Sequence, residues 1–433
     1  MTAAKMKQEL DDAIEKHREE SLEVADEILN HPELGFKEYH TKEVITQFFD
    51  RYRIPYTCNH AITGVAGKLR GNANKAHICL IGEMDAVNCV GHPYADLNTG
   101  AAHACGHHIQ IANLLTVAAA FSTTGIMKEL AGDLTFMAVP AEEFIDLEIR
   151  KELIRQNKIE FPSGKQQLIA EGTFDDIDIA MMLHAQAGEA GRKLFLGGSS
   201  LGFMEKEITF LGKEAHGSTP FDGVNALNAA MIALMSVNAN RDTFPEKDRI
   251  RVHPIITNGG NAVNTVPGRA VIETYVRAAN AEAIVQVAKK VDDCMKAGAL
   301  ALGTDVDIQN QAGYLPLMQD RELSEVIEAN ARCFMKRDDI QYGIDMVGST
   351  DMGDLSHLIP CIQPTIGGFS GTIHGKDFYS CDQDFNVVTA AKILSFTIVD
   401  LLKNGAEQAI AIKKNFHPVF TKQQYLDYLK HSV

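Results

Sequence analysis

Residues 101–108, with the sequence AAHACGHH, constrain this chain more than any other stretch. They place three imidazoles and one thiol within six positions, separated by alanine and glycine. Imidazole nitrogen and thiolate sulfur are ligands that zinc and similar divalent ions prefer, and small spacers let the backbone approach an ion closely. The alternative is a buried cysteine beside solvent-facing histidines. A Cys-x-His pair supplies only two ligands, so a metal centre requires others from distant parts of the chain.

The length and composition bound the fold and exclude some functions. A chain of 433 residues is too long for one ordinary hydrophobic core, so two domains are expected. An apolar fraction of 45% with 23% charged residues is typical of globular proteins. The net charge of −16 argues against general nucleic-acid binding, which requires concentrated Lys and Arg. Eight scattered cysteines do not indicate a disulfide framework.

The sequence predicts neither a membrane span nor a signal peptide. No uninterrupted apolar run reaches the roughly 18 residues needed to cross a bilayer. The first residues soon become a charged amphipathic pattern that lacks an apolar core. We therefore expect no membrane partner and a cytoplasmic location.

Three predicted strands end next to side chains that could bind a metal or transfer a proton. The three cases are 76–82 before Asp85, 133–140 before Glu142 and Glu143, and 178–184, which ends in His184. Residues that follow buried strands occupy the usual place of functional sites in α/β proteins. The alternatives are a turn or helix cap for Asp85 and an acidic helix start for the glutamate pair.

Helical periodicity and apolar runs predict helices between and around these strands. The predictions are two helices within 5–53 interrupted at Pro32, a buried helix at 109–121, a surface helix and loop at 146–167, a helix at 323–336 and a buried helix at 387–402. Together with the strands they indicate an α/β class.

The pattern changes near residue 204 and changes back near residue 312. The predicted elements in between are strand 204–211, helix 225–239, strands 250–257 and 269–278, helix 282–300 and strand 305–309. The order β-α-β-β-α-β is typical of a ferredoxin-like α+β sandwich. We therefore predict an inserted domain at 204–311 within a first domain formed by 1–203 and 312–433.

Motifs along nearly the whole chain make it similar to the M20 metallopeptidases. They are HPELGFKE at 31–38, EMDA at 83–86, HACGHH at 103–108, AEE at 141–143, HGSTP at 216–220, GGNAVNTVP at 259–267, GSTDMGD at 348–354 and IHG at 373–375. The chain resembles in particular the amidohydrolase branch, which includes aminobenzoyl-glutamate hydrolases and N-acyl amino acid hydrolases. The motifs occur in the family's order, which argues against chance.

The resemblance implies a centre with two zinc or manganese ions and a nearby proton carrier. The implied metal ligands are Cys105, His107, Glu143, His184 and His374. Glu142 would take a proton from the attacking water and pass it to the leaving amine. Asp85 would orient a ligand histidine.

The resemblance also implies roles for the inserted domain and for a second subunit. The inserted domain would act as a lid and form a homodimer. His216 would stabilise an oxyanion, often from the neighbouring subunit. Asn264 and Arg277 would hold the carboxylate of the substrate. The implied fold is a catalytic domain with a central mixed sheet flanked by helices, plus the ferredoxin-like insertion.

The implied reaction is hydrolysis of an amide bond in an N-acyl amino acid, an aminobenzoyl-glutamate-like compound or a dipeptide with a free carboxylate. Two alternatives stay open: an exopeptidase acting on short peptides, and a family member that binds a ligand without catalysis. The chain departs from the family pattern at His108, which replaces the usual Asp, and in its long segment between Glu143 and His184. These departures affect the expected substrate rather than the reaction class.

Overall fold

The computed structural model describes residues 1–189, 191–346 and 348–431, and the chain forms two compact units. The first unit comprises 1–198, 318–345 and 354–419. The second comprises 199–317, 346–353 and 420–433. The domain boundaries expected at residues 204 and 312 stay a prediction.

A six-stranded mixed sheet forms the centre of the first unit. Its strands, in spatial order, are Tyr56–His60, Gly64–Leu69, Asp133–Val139, His77–Glu83, Ile179–Met181 and Cys361–Ile362. The first two pairings are antiparallel and the remaining three are parallel. Strands His77–Glu83 and Asp133–Val139 are buried at every position, and helix His107–Thr124 packs against both of them. The predicted α/β fold with a central mixed sheet is confirmed.

Smaller sheets lie beside the central one. A four-stranded sheet contains, in order, Ile340–Tyr342, Leu194–Leu196, Thr365–Ile366 and His184–Ala185, and two further pairs join Val87–Asn88 to Ala101–Ala102 and Phe369–Ser370 to Tyr379–Ser380. The prediction of a single strand at 178–184 is therefore wrong. Its residues belong to two sheets, and a run of apolar side chains does not reveal such a change of partner.

The helices of the first unit pack around these sheets. They are Ala3–Lys16, Arg18–Asn30, Tyr39–Arg51, His107–Thr124, Leu147–Arg155, Gly164–Glu171, Arg321–Ala331, Ala390–Leu402 and Glu407–Asn415, with the short helix Met352–Ser356 at a unit boundary. The prediction of two helices within 5–53 is wrong, because a first helix already ends at His17, whose N–H bonds back to the carbonyls of Ala13 and Ile14. The surface location predicted for 146–167 is wrong for its last residues, since Lys165 and Gln166 are buried.

Helix His107–Thr124 lies at the centre of this core. It contacts strand His77–Glu83 and helices Ala3–Lys16, Arg18–Asn30 and Ala390–Leu402. The segment Asp384–Leu402 is long and apolar enough to cross a membrane by length and composition, yet 83% of its apolar window is buried inside the structure. Its apolar character is accounted for by this packing.

The second unit is a four-stranded antiparallel sheet covered by helices. In spatial order the strands are Arg251–Asn258, Arg269–Ala278, Gly202–Leu211 and Asp305–Ala312, and the helices are Ala226–Asn240, Ala281–Leu302 and Lys422–His431. Alternate residues of strand Arg269–Ala278 are buried against the two long helices. The predicted ferredoxin-like arrangement is confirmed.

Candidate metal centre

A tight turn at Gly106 places the side chains of segment 101–108. Gly106 has φ +83°, and a Cβ added there would lie 2.8 Å from the Cβ of Ala185. Only glycine accepts both the left-handed backbone and this close approach. The turn puts His107 at the first position of helix His107–Thr124, where its side chain is fully buried.

The hydrogen bonds of His107 leave one ring nitrogen free to bind a metal. Its Nδ1 lies 2.8 Å from the backbone oxygen of Asp85. A carbonyl can only accept, so Nδ1 carries the hydrogen, and in the neutral ring Nε2 carries the lone pair. The buried Nε2 has no hydrogen-bond partner among the described residues, although it lies 3.1 Å from an oxygen of Glu83. This is the arrangement of a ligating imidazole held by a carbonyl behind it.

Two groups of possible ligands meet at Cys105. The ligand atoms of Cys105, His107 and His184 all lie within 4.8 Å of one another, with Cys105 Sγ 3.6 Å from His184 Nε2. The same limit holds for Cys105, Glu143 and His374, with Glu143 Oε1 3.0 Å from His374 Nε2. The structure thus brings together all five residues predicted as ligands, and their sulfur, nitrogen and oxygen atoms suit zinc-like ions. Their coordination of an ion stays a prediction.

A buried network holds the segment that carries the two glutamates. Ala141, with φ +52°, donates its N–H to Glu38 Oε1 at 2.8 Å. The N–H of Glu143 donates to Asp85 Oδ2 at 2.9 Å, and the guanidinium of Arg150 donates to the carbonyl oxygen of Glu143. Asp85 therefore contacts two predicted ligands, through its carbonyl to His107 and through its carboxylate to the backbone of Glu143.

The electrostatics of the cluster favour a bound cation. Burial and the charge of Glu143 raise the pKa of the Cys105 thiol well above its ordinary value. Burial lowers the pKa of His184 and so keeps its ring neutral. Burial opposes the charge of Glu143, but the hydrogen bond from His374 lowers the pKa of that carboxyl. A divalent ion would supply the positive charge that a thiolate needs in this buried place.

The sequence analysis did not identify two charged side chains beside the cluster of possible ligands, those of Glu83 and Lys165. Glu83 and Lys165 are fully buried, and Lys165 Nζ donates to Glu83 Oε1 at 2.6 Å. Burial opposes ionisation of Glu83, yet Lys165 and His107 hold the pKa of its carboxyl well below the usual range. Ligand atoms of Glu83, His107 and Glu142 form a third group within 4.8 Å. The position of Glu83 at a strand end was a usable signal, whereas nothing in the sequence marks Lys165 as buried.

His108 occupies a different environment from His107. Its ring is buried next to that of His103, with ring centroids 5.4 Å apart. Burial and the neighbouring rings of His107 and His92 lower the pKa of His108 to about 3. Within the described parts of the chain, it belongs to none of the groups of three or more possible ligands.

In the second unit, the backbone joins His216 to Asn264. The N–H of Gly217 donates to the carbonyl oxygen of Asn264 at 2.7 Å, and His216 pairs with Thr265. The N–H of Ser218 lies 3.1 Å from His216 Nδ1 and donates to it. In the neutral ring the hydrogen is therefore on Nε2, which can donate to a developing oxyanion.

Arg277 lies at the other end of the same sheet. It pairs with Phe203, its guanidinium lies over the rings of Phe203 and Tyr275, and it donates to Ser349 Oγ at 2.7 Å. Arg269, at the start of its strand, is eight residues away, which corresponds to roughly 26 Å. His216 and Asn264 lie beyond that start, so the structure does not bring Arg277 to them within one chain.

Comparison with known proteins agrees with this architecture. Residues 199–301 match the model of the M20 peptidase dimerisation domain. The human Xaa-Arg dipeptidase is 26% identical and the match covers 92% of this chain and 89% of that protein. A p-aminobenzoyl-glutamate hydrolase polypeptide of Escherichia coli is 28% identical, over 71% of this chain and 61% of its own length.

The chain is similar to M20 family proteins. A solved structure with the same fold is the dinuclear metal-binding M20 peptidase YXEP of Bacillus subtilis, with a TM-score of 0.69 and 19% identity. The match covers 90% of this chain and 99% of the YXEP chain. The predicted resemblance to the M20 family and the predicted class, a metal-dependent hydrolase that acts on amide C–N bonds, are confirmed.

Proposed function

We propose that this M20 hydrolase uses two divalent metal ions, zinc or manganese, to cleave the amide bond of a small substrate with a free carboxylate. The candidate substrates are an N-acyl amino acid, an aminobenzoyl-glutamate-like compound and a dipeptide. The observation that carries the proposal is the sharing of Cys105 by two ligand groups, one with His107 and His184 and one with Glu143 and His374.

Five residues would hold the ions, and Glu142 would move the proton. Bound ions would polarise the amide carbonyl and acidify a water. Glu142 is 6% exposed and its ligand atom lies within 4.8 Å of that of His107. Its carboxylate can take a proton from the water and give it to the leaving nitrogen. The hydrogen bonds to Ala141 and Glu143 fix the backbone on both sides of Glu142.

The remaining roles concern the substrate and stay part of this proposal. Arg277, a fixed guanidinium fork, suits a carboxylate. His216 would donate from Nε2 to the oxyanion, and Asn264 would assist in holding the substrate. The names of the relatives support this class: the human protein is called a dipeptidase and the Escherichia coli protein an aminobenzoyl-glutamate hydrolase.

A homodimer is part of the proposal, because one chain keeps Arg277 far from His216 and Asn264. The strand between them spans roughly 26 Å, which is longer than a small amide substrate. A second copy that supplied His216 and Asn264 would resolve this separation. The match of residues 199–301 to a dimerisation domain supports the same assembly. A cytoplasmic location also remains a proposal.

The first test combines metal analysis with a substrate panel. We expect about two equivalents of zinc or manganese at the proposed centre of each chain, and hydrolysis of at least one N-acyl amino acid, aminobenzoyl-glutamate or dipeptide that is lost on chelation and restored by reloading. Hydrolysis of longer free peptides but not of blocked amino acids would instead indicate an exopeptidase. No turnover of any panel member by the reloaded protein would contradict the catalytic proposal and favour a ligand-binding role.

The role of Glu142 has its own test. Glu142→Gln removes the proton carrier and keeps the size of the side chain, so we expect kcat to fall by about 10²- to 10⁴-fold with metal content unchanged. Glu148→Gln, an exposed glutamate on the following helix, is the matched control. Retention of full activity by Glu142→Gln would refute its proposed role.

A further inference from the structure

A second set of metal-ligating side chains lies on the surface of the first unit, outside the proposed centre. Glu27 is near the end of helix Arg18–Asn30, His31 directly follows that helix, and His40 is in the first turn of helix Tyr39–Arg51. One ligand atom from each of these residues lies within 4.8 Å of the other two. We propose that they bind a divalent transition-metal ion of the zinc type.

The geometry needs little change to hold an ion. Glu27 Oε1 lies 2.9 Å from His40 Nε2 and 3.3 Å from His31 Nδ1. Two ligands of a tetrahedral zinc, each about 2.1 Å from the ion, are themselves separated by about 3.4 Å. The two imidazole rings have centroids 4.3 Å apart, so both lie beside the same carboxylate. A glutamate and two histidines form one of the recurring ligand sets of protein zinc sites.

The side chains can adjust because they are accessible. The side chain of His31 is 51% exposed, that of Glu27 47% and that of His40 35%. His31 Nδ1 also lies 2.8 Å from the backbone oxygen of Glu27, a carbonyl that can only accept. When the ion binds at Nδ1, it replaces this hydrogen bond, and the hydrogen of the neutral ring moves to Nε2.

The surrounding charge favours a cation. A groove of about 370 Å³ between the two helices includes Glu20, Glu23, Glu27, Glu43, His40 and Arg51 among its lining residues. Arg51 forms an ion pair with Glu20, so three carboxylates of the groove are not neutralised by that guanidinium. Their negative potential would attract a divalent ion to the two imidazoles.

An ion at this place would join the two ends of segment 31–40. The segment contains Glu33, which accepts from the N–H groups of His40 and Thr41, and Glu38, which accepts from the N–H of Ala141 beside the proposed base. A metal bound to the folded protein and not to the unfolded one raises the thermal midpoint. We therefore expect this ion to stabilise the first unit.

The test counts metal ions in the full chain after removal of all metal by chelation. Zinc is returned and measured by equilibrium dialysis with elemental analysis, and copper(II) is followed by its electron paramagnetic resonance spectrum. We expect the unmodified chain to bind one more equivalent than His31→Gln or His40→Gln, or to bind that equivalent at least about tenfold more tightly. His417→Gln, which changes another exposed histidine, should match the unmodified chain.

Two further results test the proposal, and the first of them does not rely on those variants. Zinc should give an anomalous scattering peak between Glu27, His31 and His40 in crystals of the unmodified chain. The copper(II) spectrum of the unmodified chain should contain a signal with coupling to nitrogen, and the spectrum of His40→Gln should lack that signal. Equal stoichiometry and affinity in all four proteins, or no anomalous peak between the three side chains, would overturn the proposal and leave the proposed catalytic centre unaffected.

Discussion

The buried pair of Glu83 and Lys165 predicts a large and specific loss of stability when one partner is removed. Both side chains are 0% exposed, and the Nζ–Oε1 distance is 2.6 Å. Lys165→Met keeps the length of the side chain but leaves the carboxylate of Glu83 without this cation. Removing one member of a buried ion pair costs about 3–5 kcal/mol.

The lower part of that range applies here. Glu83 Oε2 still accepts from Gln110 Nε2 at 2.9 Å, so one hydrogen bond to the carboxylate survives. We therefore expect Lys165→Met to reduce the free energy of unfolding by about 3 kcal/mol. At about 2.1 cal/mol/K of unfolding entropy per residue, a unit of about 290 residues shifts by about 1.6 °C per kcal/mol, so the thermal midpoint should fall by about 5 °C.

The assay is a double-mutant cycle followed by thermal and urea unfolding in the presence of a chelator. Glu83→Gln combined with Lys165→Met removes both charges, so the double variant should be more stable than the sum of the two single losses predicts. Arg155→Met is the matched control, because it breaks the exposed ion pair with Glu152 in the same unit and should leave the midpoint unchanged. Additive losses in the cycle, or a loss below about 1 kcal/mol for Lys165→Met, would refute the reasoning.

Three further changes test other parts of the site. Gly106→Ala should lower the free energy of unfolding by about 2–5 kcal/mol and reduce metal retention, because the position combines a left-handed backbone with a 2.8 Å approach to Ala185. Gly125 has φ +68° and no atom within 4 Å of an added Cβ, so Gly125→Ala should lower it by only about 1–2 kcal/mol in the same unfolding assay. Arg150→Lys should lower metal affinity and kcat about tenfold, with little change in KM, since one ammonium cannot donate to both Pro162 O and Glu143 O. Arg277→Met should raise KM about tenfold, if the guanidinium binds the substrate carboxylate equally in the ground and transition states.

The sequence predicted which residues meet in the candidate metal centre better than it predicted the strands that support them. Asp85, Glu143 and His184 each follow or end a predicted strand, and neighbouring parallel strands bring their ends to one edge of a sheet. Their possible roles in a site could therefore be predicted from the sequence, whereas their contacts could not. The passage of 179–185 from one sheet to another was not visible, because it depends on pairing with Ile362 and Pro364, far along the chain.

Charged residues were the hardest to place from sequence. A lysine inside 146–167 fits a surface helix by composition, since lysine is rarely buried without a partner. The partner of Lys165 is Glu83, which lies 82 positions earlier. Only the tertiary fold brings the two together, and so the last residues of 146–167 were predicted to be exposed although they are buried.

Motif matching assigns residues to a site by their order along the chain and takes no account of the distance between them. An extended strand between two such residues holds them a fixed distance apart. Arg277 and Asn264 are 13 positions apart, and both were expected to contact one carboxylate. The extended strand Arg269–Ala278 separates them by more than the size of any substrate proposed for this enzyme. Either the two residues contact two different substrate molecules, or the pair that holds one substrate comes from two copies of the chain. The second interpretation needs no change to the proposed role of either residue. It makes the assembly of two subunits a condition for complete substrate binding and leaves the proposed metal ligands within one chain.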